Sequence, residues 1–233
     1  LWGASLDEPR QPASLAKLLT ALVLLDAGWD PDARVPVGRR AAGVEGTTIG
    51  LRAGEALRAA DALTAMLVRS ANDACVALVD HAGGESAVRP RLAARARALG
   101  LRASNFVDPC GFDAPGQRTT ARDLLRLADA ARVVPAIALR GRATGARIRT
   151  LGGRELRFAA TNVLLGRMPE AVGLKTGYTR GAGRSLIALA ERGPDRVVLV
   201  MLGAGEDRWF SASGLLHHAL ARAARLREAG SGD

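Results

Sequence analysis

The chain has 233 residues, of which 48% are hydrophobic, so it can bury a substantial core and is not expected to be disordered. Only 3% of the residues are aromatic, which argues against the stacking platforms that bind single-stranded nucleic acid. The formal charge is +10, but no basic run is longer than Arg39-Arg40, so the charge favours a solvated face or affinity for an anionic polymer over nucleic-acid binding.

The first half of the chain is predicted to be mainly helical. An apolar helix is expected from Leu15 to Ala27, with Ser14 at its start and Gly28 at its end. Residues 30–54 are rich in Gly, Pro, Arg and Thr and are expected to form loops with short strands such as Thr47–Leu51. Further helices are predicted at Ala59–Arg69, Asp73–Ala82, Ser86–Leu99 and Asp123–Arg132, with an irregular loop over Ala103–Gln117 and a capping box at Thr120.

After about residue 140 the pattern changes to strands. A hairpin is predicted from Arg147–Leu151 and Glu155–Ala159, then strands at Val172–Thr179, Ser185–Glu191 and Arg196–Leu202, and an amphipathic helix from Ser211 to about Glu228. Residues 1–28 and 145–233 are therefore expected to form a discontinuous α/β sheet domain, and residues 29–144 a mostly helical subdomain. We expect the active-site cleft between the two.

Lysine is rare in this basic chain. Of 33 basic residues, only Lys17 and Lys175 are lysines. An arginine stays protonated in proteins, whereas a lysine amine can lose its proton when it is buried or lies among other cations. Drift toward arginine codons explains the many arginines, but it does not explain why both lysines fall in segments typical of catalytic sites.

The first of these segments is Ser14-x-x-Lys17 at the start of a predicted helix. A spacing of three places both side chains on one face, so the lysine amine can reach the serine hydroxyl and accept its proton. The backbone N–H groups of a helix N-terminus favour a developing oxyanion. The ordinary alternative is a capping serine and a solvated lysine, but a solvated lysine is out of place in an apolar helix.

The second segment, Ser70-Ala71-Asn72, lies at the corner between two predicted helices. Ser70 could relay a proton to a leaving group, and the Asn72 amide could hold a substrate carbonyl. Taken alone, both residues are better explained as caps of the following helix.

The third segment is Lys175-Thr176-Gly177-Tyr178 on a predicted strand. Lys175 would supply a fixed charge and Thr176 would bind a substrate carboxylate. Gly177 leaves room for substrate, and the Tyr178 N–H could complete an oxyanion hole. Strict alternation puts Lys175 and Gly177 on one face and Thr176 on the other. These roles therefore require an edge strand.

In this order, the three segments resemble the motif set of the serine penicillin-binding proteins and β-lactamases. The likeness to the low-molecular-mass D-alanyl-D-alanine carboxypeptidases extends over nearly the whole chain. It is carried by residues 12–20, 70–74, 99–101, 106–112, 119–124, 173–183 and 202–204. Ala16 stands where that family usually has threonine.

This resemblance implies an α/β (α+β) fold of the penicillin-binding protein or serine β-lactamase type, with an antiparallel sheet flanked by helices plus a helical subdomain. It implies a D,D-carboxypeptidase that removes the terminal D-alanine of peptidoglycan stem peptides through an acyl-enzyme and is inhibited by β-lactams. The implied catalytic residues are Ser14, Lys17, Ser70, Asn72 and Lys175. The implied substrate-binding residues are Thr176, Gly177, Tyr178 and Arg208, the last matching the family's substrate-binding arginine.

Four alternative functions can be compared with the sequence. A D,D-endopeptidase would use the same residues, and residues Gly46 to Gly54 are somewhat similar to that branch. A β-lactamase is disfavoured because no Glu-x-x-Leu-Asn-like segment lies between the second and third motifs, and a non-catalytic wall-binding module is disfavoured because all three motifs are intact. A Ser-His-Asp hydrolase is disfavoured because the histidines lie on ordinary predicted helices. No cofactor or metal is expected, since Cys and His lack ligand spacing.

A wall enzyme works outside the cytoplasm, so a periplasmic or secreted location is expected. No apolar run is long enough for a membrane span. The chain starts at Leu1 without a signal sequence, so we expect a removed leader or a trimmed start, and the family's usual first strand is expected to be missing or truncated. We expect no second β-rich domain or amphipathic anchor after Glu228, and this departure from the family pattern could also reflect trimming. Whether Cys75 and Cys110 pair or stay free is left open by their spacing.

Overall fold

The computed structural model describes residues 3–26 and 28–230. Its helices are α1 Ala16–Leu25, α2 Arg39–Ala42, α3 Ala59–Val68, α4 Asn72–His81, α5 Gly84–Ala98, α6 Ala121–Arg132, α7 Pro135–Gly141 and α8 Arg208–Gly230. Its strands are β1 Arg34–Pro36, β2 Ala56–Arg58, β3 Gly145–Arg149, β4 Glu155–Ala159, β5 Ala171–Thr179, β6 Gly183–Arg192 and β7 Asp195–Ala204. Short 3-10 turns cover Ala13–Leu15 and Val163–Gly166.

The long predicted helices and the late strands are present, with small shifts at their ends. Helix α1 ends at Leu25, and Ala27, the predicted last residue, lies outside the described residues. Thr120 caps α6 by accepting the Asp123 N–H at 3.2 Å. The seven-residue helix α7 was not predicted. It begins with a proline, which is well suited to the first helical position because the missing N–H would be unpaired there.

The predicted strand Thr47–Leu51 is wrong. The segment is irregular, because the buried Asp73 carboxylate at the start of α4 accepts the backbone N–H groups of Ile49 and Leu51 at 3.1 and 3.0 Å. Hydrogen bonds that a strand partner would have made are thus made by a side chain. The short strands of this region are β1 and β2, which pair antiparallel with Val35 opposite Leu57.

The main sheet is antiparallel, with the order β5-β6-β7. In its register Lys175 of β5 lies opposite Ile187 of β6, and Ile187 lies opposite Val200 of β7. Strand β5 is therefore an edge strand, as the third motif requires. Strands β3 and β4 form a separate antiparallel hairpin.

Strand β6 is buried on both faces, which explains its continuous apolar sequence. Ile187 and Leu189 contribute to the larger core, which they share with the apolar residues of α1, α3, α4 and α6. The alternate residues Leu186, Ala188 and Ala190 belong to a smaller core completed by α8. The division of the chain into a sheet domain and a helical subdomain stays a prediction.

A disulfide joins Cys75 of α4 to Cys110 in the loop before α6. The pairing that the sequence left open is therefore made, and it ties the loop to the helix that begins with Asn72. None of the helices within the described ranges is both long and apolar enough to cross a membrane.

Candidate active site

Ser14 lies on a tight turn that leads into α1. It is the middle residue of the 3-10 turn Ala13–Leu15, and Ala13 has a φ of +49°. The Ser14 Oγ lies 2.9 Å from the Nζ of Lys17 and caps no helix. The turn packs on β5, since a Cβ added to Gly177 would lie 3.2 Å from the Ser14 nitrogen. The absent side chain of Gly177 thus permits the close approach of the two backbones.

Three groups surround the Lys17 amine, which is fully buried. Its Nζ lies 2.9 Å from Ser14 Oγ, 2.9 Å from Asn72 Oδ1 and 2.5 Å from the Cys110 carbonyl oxygen. The Asn72 amide is oriented by its Nδ2, which donates to the Glu45 carbonyl at 2.8 Å. Carbonyl oxygens only accept, whereas a hydroxyl can donate. A neutral amine, with two N–H groups and one lone pair, matches two carbonyl acceptors and one donating hydroxyl.

Burial also acts on the protonation of the two lysines. Loss of solvation lowers the pKa of Lys17 to about 7, and the negative charge of Asp108 partly opposes this effect. Lys175 is equally buried, and its pKa lies well below its ordinary value because of burial and the nearby charge of Lys17. Two charged amines in one buried site disfavour each other. At neutral pH the pair therefore favours a state in which one amine has no proton.

Ser70 and Lys175 form the second pair of the site. Ser70 lies at the corner between α3 and α4 with a φ of +62°, and it is buried. The Lys175 Nζ donates to Ser70 Oγ at 2.6 Å and to the Thr176 carbonyl at 2.9 Å. Helix α4 has no side-chain cap, so the explanation of Ser70 and Asn72 as helix caps is wrong. Ser70 contacts Lys175, and Asn72 contacts Lys17.

The side chains of β5 alternate as predicted. Lys175 and Gly177 face the two serines, whereas the buried Thr176 places its Oγ1 2.6 Å from the Oγ1 of Thr161. Tyr178 is largely exposed, and the Arg184 guanidinium lies 5.5 Å from the centre of its ring.

Arg208 lies apart from this network. It is the first residue of α8, and its guanidinium stacks on Trp209 with 4.4 Å to the ring centre. Within the described residues its buried Nε has no hydrogen-bond partner, and no hydrogen bond or ion pair joins it to the other predicted site residues. Burial and the nearby Arg184 lower its pKa. An unpaired buried donor suits an external anion, and the carboxylate-binding role stays a prediction.

Residues 108–111 complete the site, although the sequence predictions gave them no part in catalysis. The Cys110 carbonyl accepts from Lys17, and the Asp108 Oδ1 accepts the N–H groups of Cys110 and Phe112 at 2.9 and 3.0 Å. Gly111, with a φ of +84°, packs against the turn that carries Ser14. The similarity of residues 106–112 to the suspected family was the available signal, but it did not say which atoms would be used.

Comparison with known proteins identifies the family. The family model of the D-alanyl-D-alanine carboxypeptidases matches residues 1–206 of the sequence. The chain belongs to this family. A curated relative, the D-alanyl-D-alanine carboxypeptidase DacB2 of Mycobacterium tuberculosis, is 32% identical over 204 residues, which cover 87% of this chain and 69% of the relative. A D-alanyl-D-alanine endopeptidase of Pseudomonas aeruginosa is 32% identical over 199 residues, covering 82% and 63%.

The fold of the carboxypeptidase family is also found by structure comparison. A crystal structure of a D-alanyl-D-alanine carboxypeptidase from Mycobacterium tuberculosis matches with a TM-score of 0.88 at 30% identity, covering 95% of this chain and 86% of that chain. The predicted fold class is thereby confirmed. The chain spans about half the length of several curated relatives that it matches.

Proposed function

We propose that this protein is a serine D,D-carboxypeptidase that removes the terminal D-alanine from peptidoglycan stem peptides. The contact between Ser14 and Lys17 carries the proposal. A hydroxyl lies 2.9 Å from a buried amine whose pKa is about 7 and whose other two neighbours only accept hydrogen bonds. Such an amine can take the serine proton near neutral pH, because a general base works best when its pKa lies near the working pH.

Acylation would proceed in two proton transfers. The Ser14 Oγ attacks the carbonyl carbon between the two D-alanines while its proton moves to Lys17 Nζ, and the backbone N–H groups of Ser14 and Tyr178 hold the oxyanion. In the second transfer Ser70 gives its proton to the departing D-alanine nitrogen as the C–N bond breaks and takes one from the Lys175 amine, which donates to Ser70 Oγ at 2.6 Å. The two lysines therefore hold one proton between them before and after acylation. Water later hydrolyses the ester and frees Ser14.

The remaining predicted residues would hold the substrate. Asn72 orients the peptide, Gly177 leaves room for it along β5, and Thr176 with Arg208 binds its terminal carboxylate. The unpaired buried Nε of Arg208 supports an anionic partner for that side chain.

Labelling with a fluorescent penicillin tests the central step, since β-lactams would acylate the same serine. We expect the wild type and Ser86→Ala, which changes an exposed serine of α5, to be labelled, and Ser14→Ala to be unlabelled. Lys17→Arg should also lose labelling, because an arginine cannot accept the proton. A folded wild type that takes no label, or a labelled Ser14→Ala, overturns the proposal.

A D,D-endopeptidase that cuts peptidoglycan cross-links is the second candidate, because a relative of 32% identity carries that name. Digestion of monomeric and cross-linked muropeptides separates the two activities. In either case we propose an extracytoplasmic location. The disulfide between Cys75 and Cys110 supports it, since such bonds persist in oxidising compartments.

A further inference from the structure

Thr161 carries a hydroxyl group that neither the three motifs nor the proposed mechanism uses. It lies just before the 3-10 turn Val163–Gly166, and its Oγ1 is 2.6 Å from the Oγ1 of Thr176. Its backbone N–H donates to the Val68 carbonyl at the end of α3 at 3.2 Å. The neighbouring Asn162 is buried and donates from Nδ2 to the Gly173 carbonyl of β5 at 3.2 Å. The Thr161 hydroxyl is therefore held against β5 from two sides.

We propose that Thr161 is a positioning residue for recognition of the substrate carboxylate. It donates a hydrogen bond to Thr176 Oγ1 and thereby leaves the Thr176 proton free to point at the carboxylate. The inference rests on the proposed function, because it assumes a substrate with a free carboxyl end.

The direction of the hydrogen bond between Thr161 and Thr176 is limited by the number of protons that the two hydroxyls carry. Each hydroxyl has one proton, and only one of two hydroxyls at 2.6 Å can donate to the other. If Thr176 donated to Thr161, it would present lone pairs to the carboxylate and repel it. With Thr161 as donor, the proton of Thr176 is available. A hydroxyl that accepts a hydrogen bond also becomes a better donor, because hydrogen bonds in a chain polarise one another.

The surroundings of Thr176 support a role in binding an anion. Its own carbonyl accepts from Lys175 Nζ at 2.9 Å, so a donor amine lies beside the residue. Thr176 is buried, so water contributes little to the orientation of its hydroxyl group. Thr161 is the hydroxyl partner that the structure gives to this side chain.

Peptide kinetics with Thr161→Val test the inference, because valine keeps the branched shape and removes the hydroxyl. For a peptide ending in D-Ala-D-Ala we expect KM to rise about five-fold, because the Thr176 hydroxyl loses the neutral hydrogen bond that orients and polarises it, while kcat stays within about two-fold. Thr161→Ser should restore the wild-type KM. The same peptide with an amidated C-terminus should show no difference between the wild type and Thr161→Val.

Thr64→Val serves as the matched control. The Thr64 Oγ1 donates to the Ala60 carbonyl of its own helix at 2.7 Å and accepts from Arg140, so its loss leaves Thr176 untouched. Melting temperatures check the folding of each variant, and Thr161→Ala replaces Thr161→Val if the valine is not accommodated.

The possible results distinguish a failure of the proposed role of Thr161 from a failure of the proposed function. An unchanged KM in Thr161→Val, or equal losses on the acid and the amide, overturns the role of Thr161 while the function stands. A wild type that neither cleaves the peptide nor takes penicillin overturns the proposed function, and the inference falls with it.

Discussion

The substitution Gly111→Ala tests whether the loop before α6 positions the Ser14 nucleophile. A Cβ built at Gly111 would lie 2.0 Å from the Ala13 carbonyl oxygen and 2.9 Å from the Ser14 nitrogen, where 3.4 Å or more is ordinary contact. In Gly111→Ala the turn that carries Ser14 must therefore move by more than about 1 Å. Since a misplacement of about 1 Å can slow a reaction roughly 100-fold, we expect acylation by penicillin to slow by about that factor.

Gly116→Ala is the control, because it shares the loop and the backbone conformation. Gly116 has a φ of +79°, close to the +84° of Gly111, but its Cβ would meet nothing nearer than Asn105 Nδ2 at 3.7 Å. Gly116→Ala should lose about 1 kcal/mol of unfolding free energy, the cost of a left-handed alanine, and should keep its activity. Gly111→Ala should lose more than this, because its Cβ also displaces the Ser14 turn, and it alone should lose activity.

The assay is the second-order rate constant of acylation by a fluorescent penicillin, measured on variants whose folding is checked by urea unfolding. If folded Gly111→Ala is acylated as fast as Gly116→Ala, the contact between this loop and the Ser14 turn does not position the nucleophile.

Two further predictions concern the groups around Lys17. The acylation rate should rise with pH through a midpoint near 7, because only the deprotonated amine takes the serine proton and burial lowers its pKa to about 7. Asp108→Asn keeps an acceptor oxygen but removes the negative charge that raises the pKa of Lys17, so the midpoint should move to lower pH. Stopped-flow acylation rates over a range of pH measure this midpoint. An unmoved midpoint would contradict the assignment of Lys17 as the base. Replacing both Cys75 and Cys110 by alanine should lower the unfolding free energy by about 4 kcal/mol, because the bond closes a loop with a sequence separation of 35. Urea unfolding measures this loss, and a double variant as stable as the wild type would refute the estimate.

Local sequence patterns predicted most of the regular structure. The apolar run of α1, the alternation of β5 and the capping threonine of α6 act over a few residues, so their consequences can be read directly. The prediction of a strand at Thr47–Leu51 was wrong for the opposite reason. Its backbone hydrogen bonds go to Asp73, more than twenty residues away, and no local pattern reports such a partner.

The candidate site likewise has features that the sequence predicts and features that only the folded chain shows. By itself, the sequence identified the residues of the three motifs and the rarity of lysine, because residue type and spacing decide which chemistry a segment can perform. Only the tertiary structure decided that Lys17 has a depressed pKa and three hydrogen-bonding neighbours, and that Cys75 pairs with Cys110. It alone brought Thr161 to Thr176. Burial and the direction of a hydrogen bond depend on atoms contributed by distant parts of the chain, and these meet only when the chain has folded.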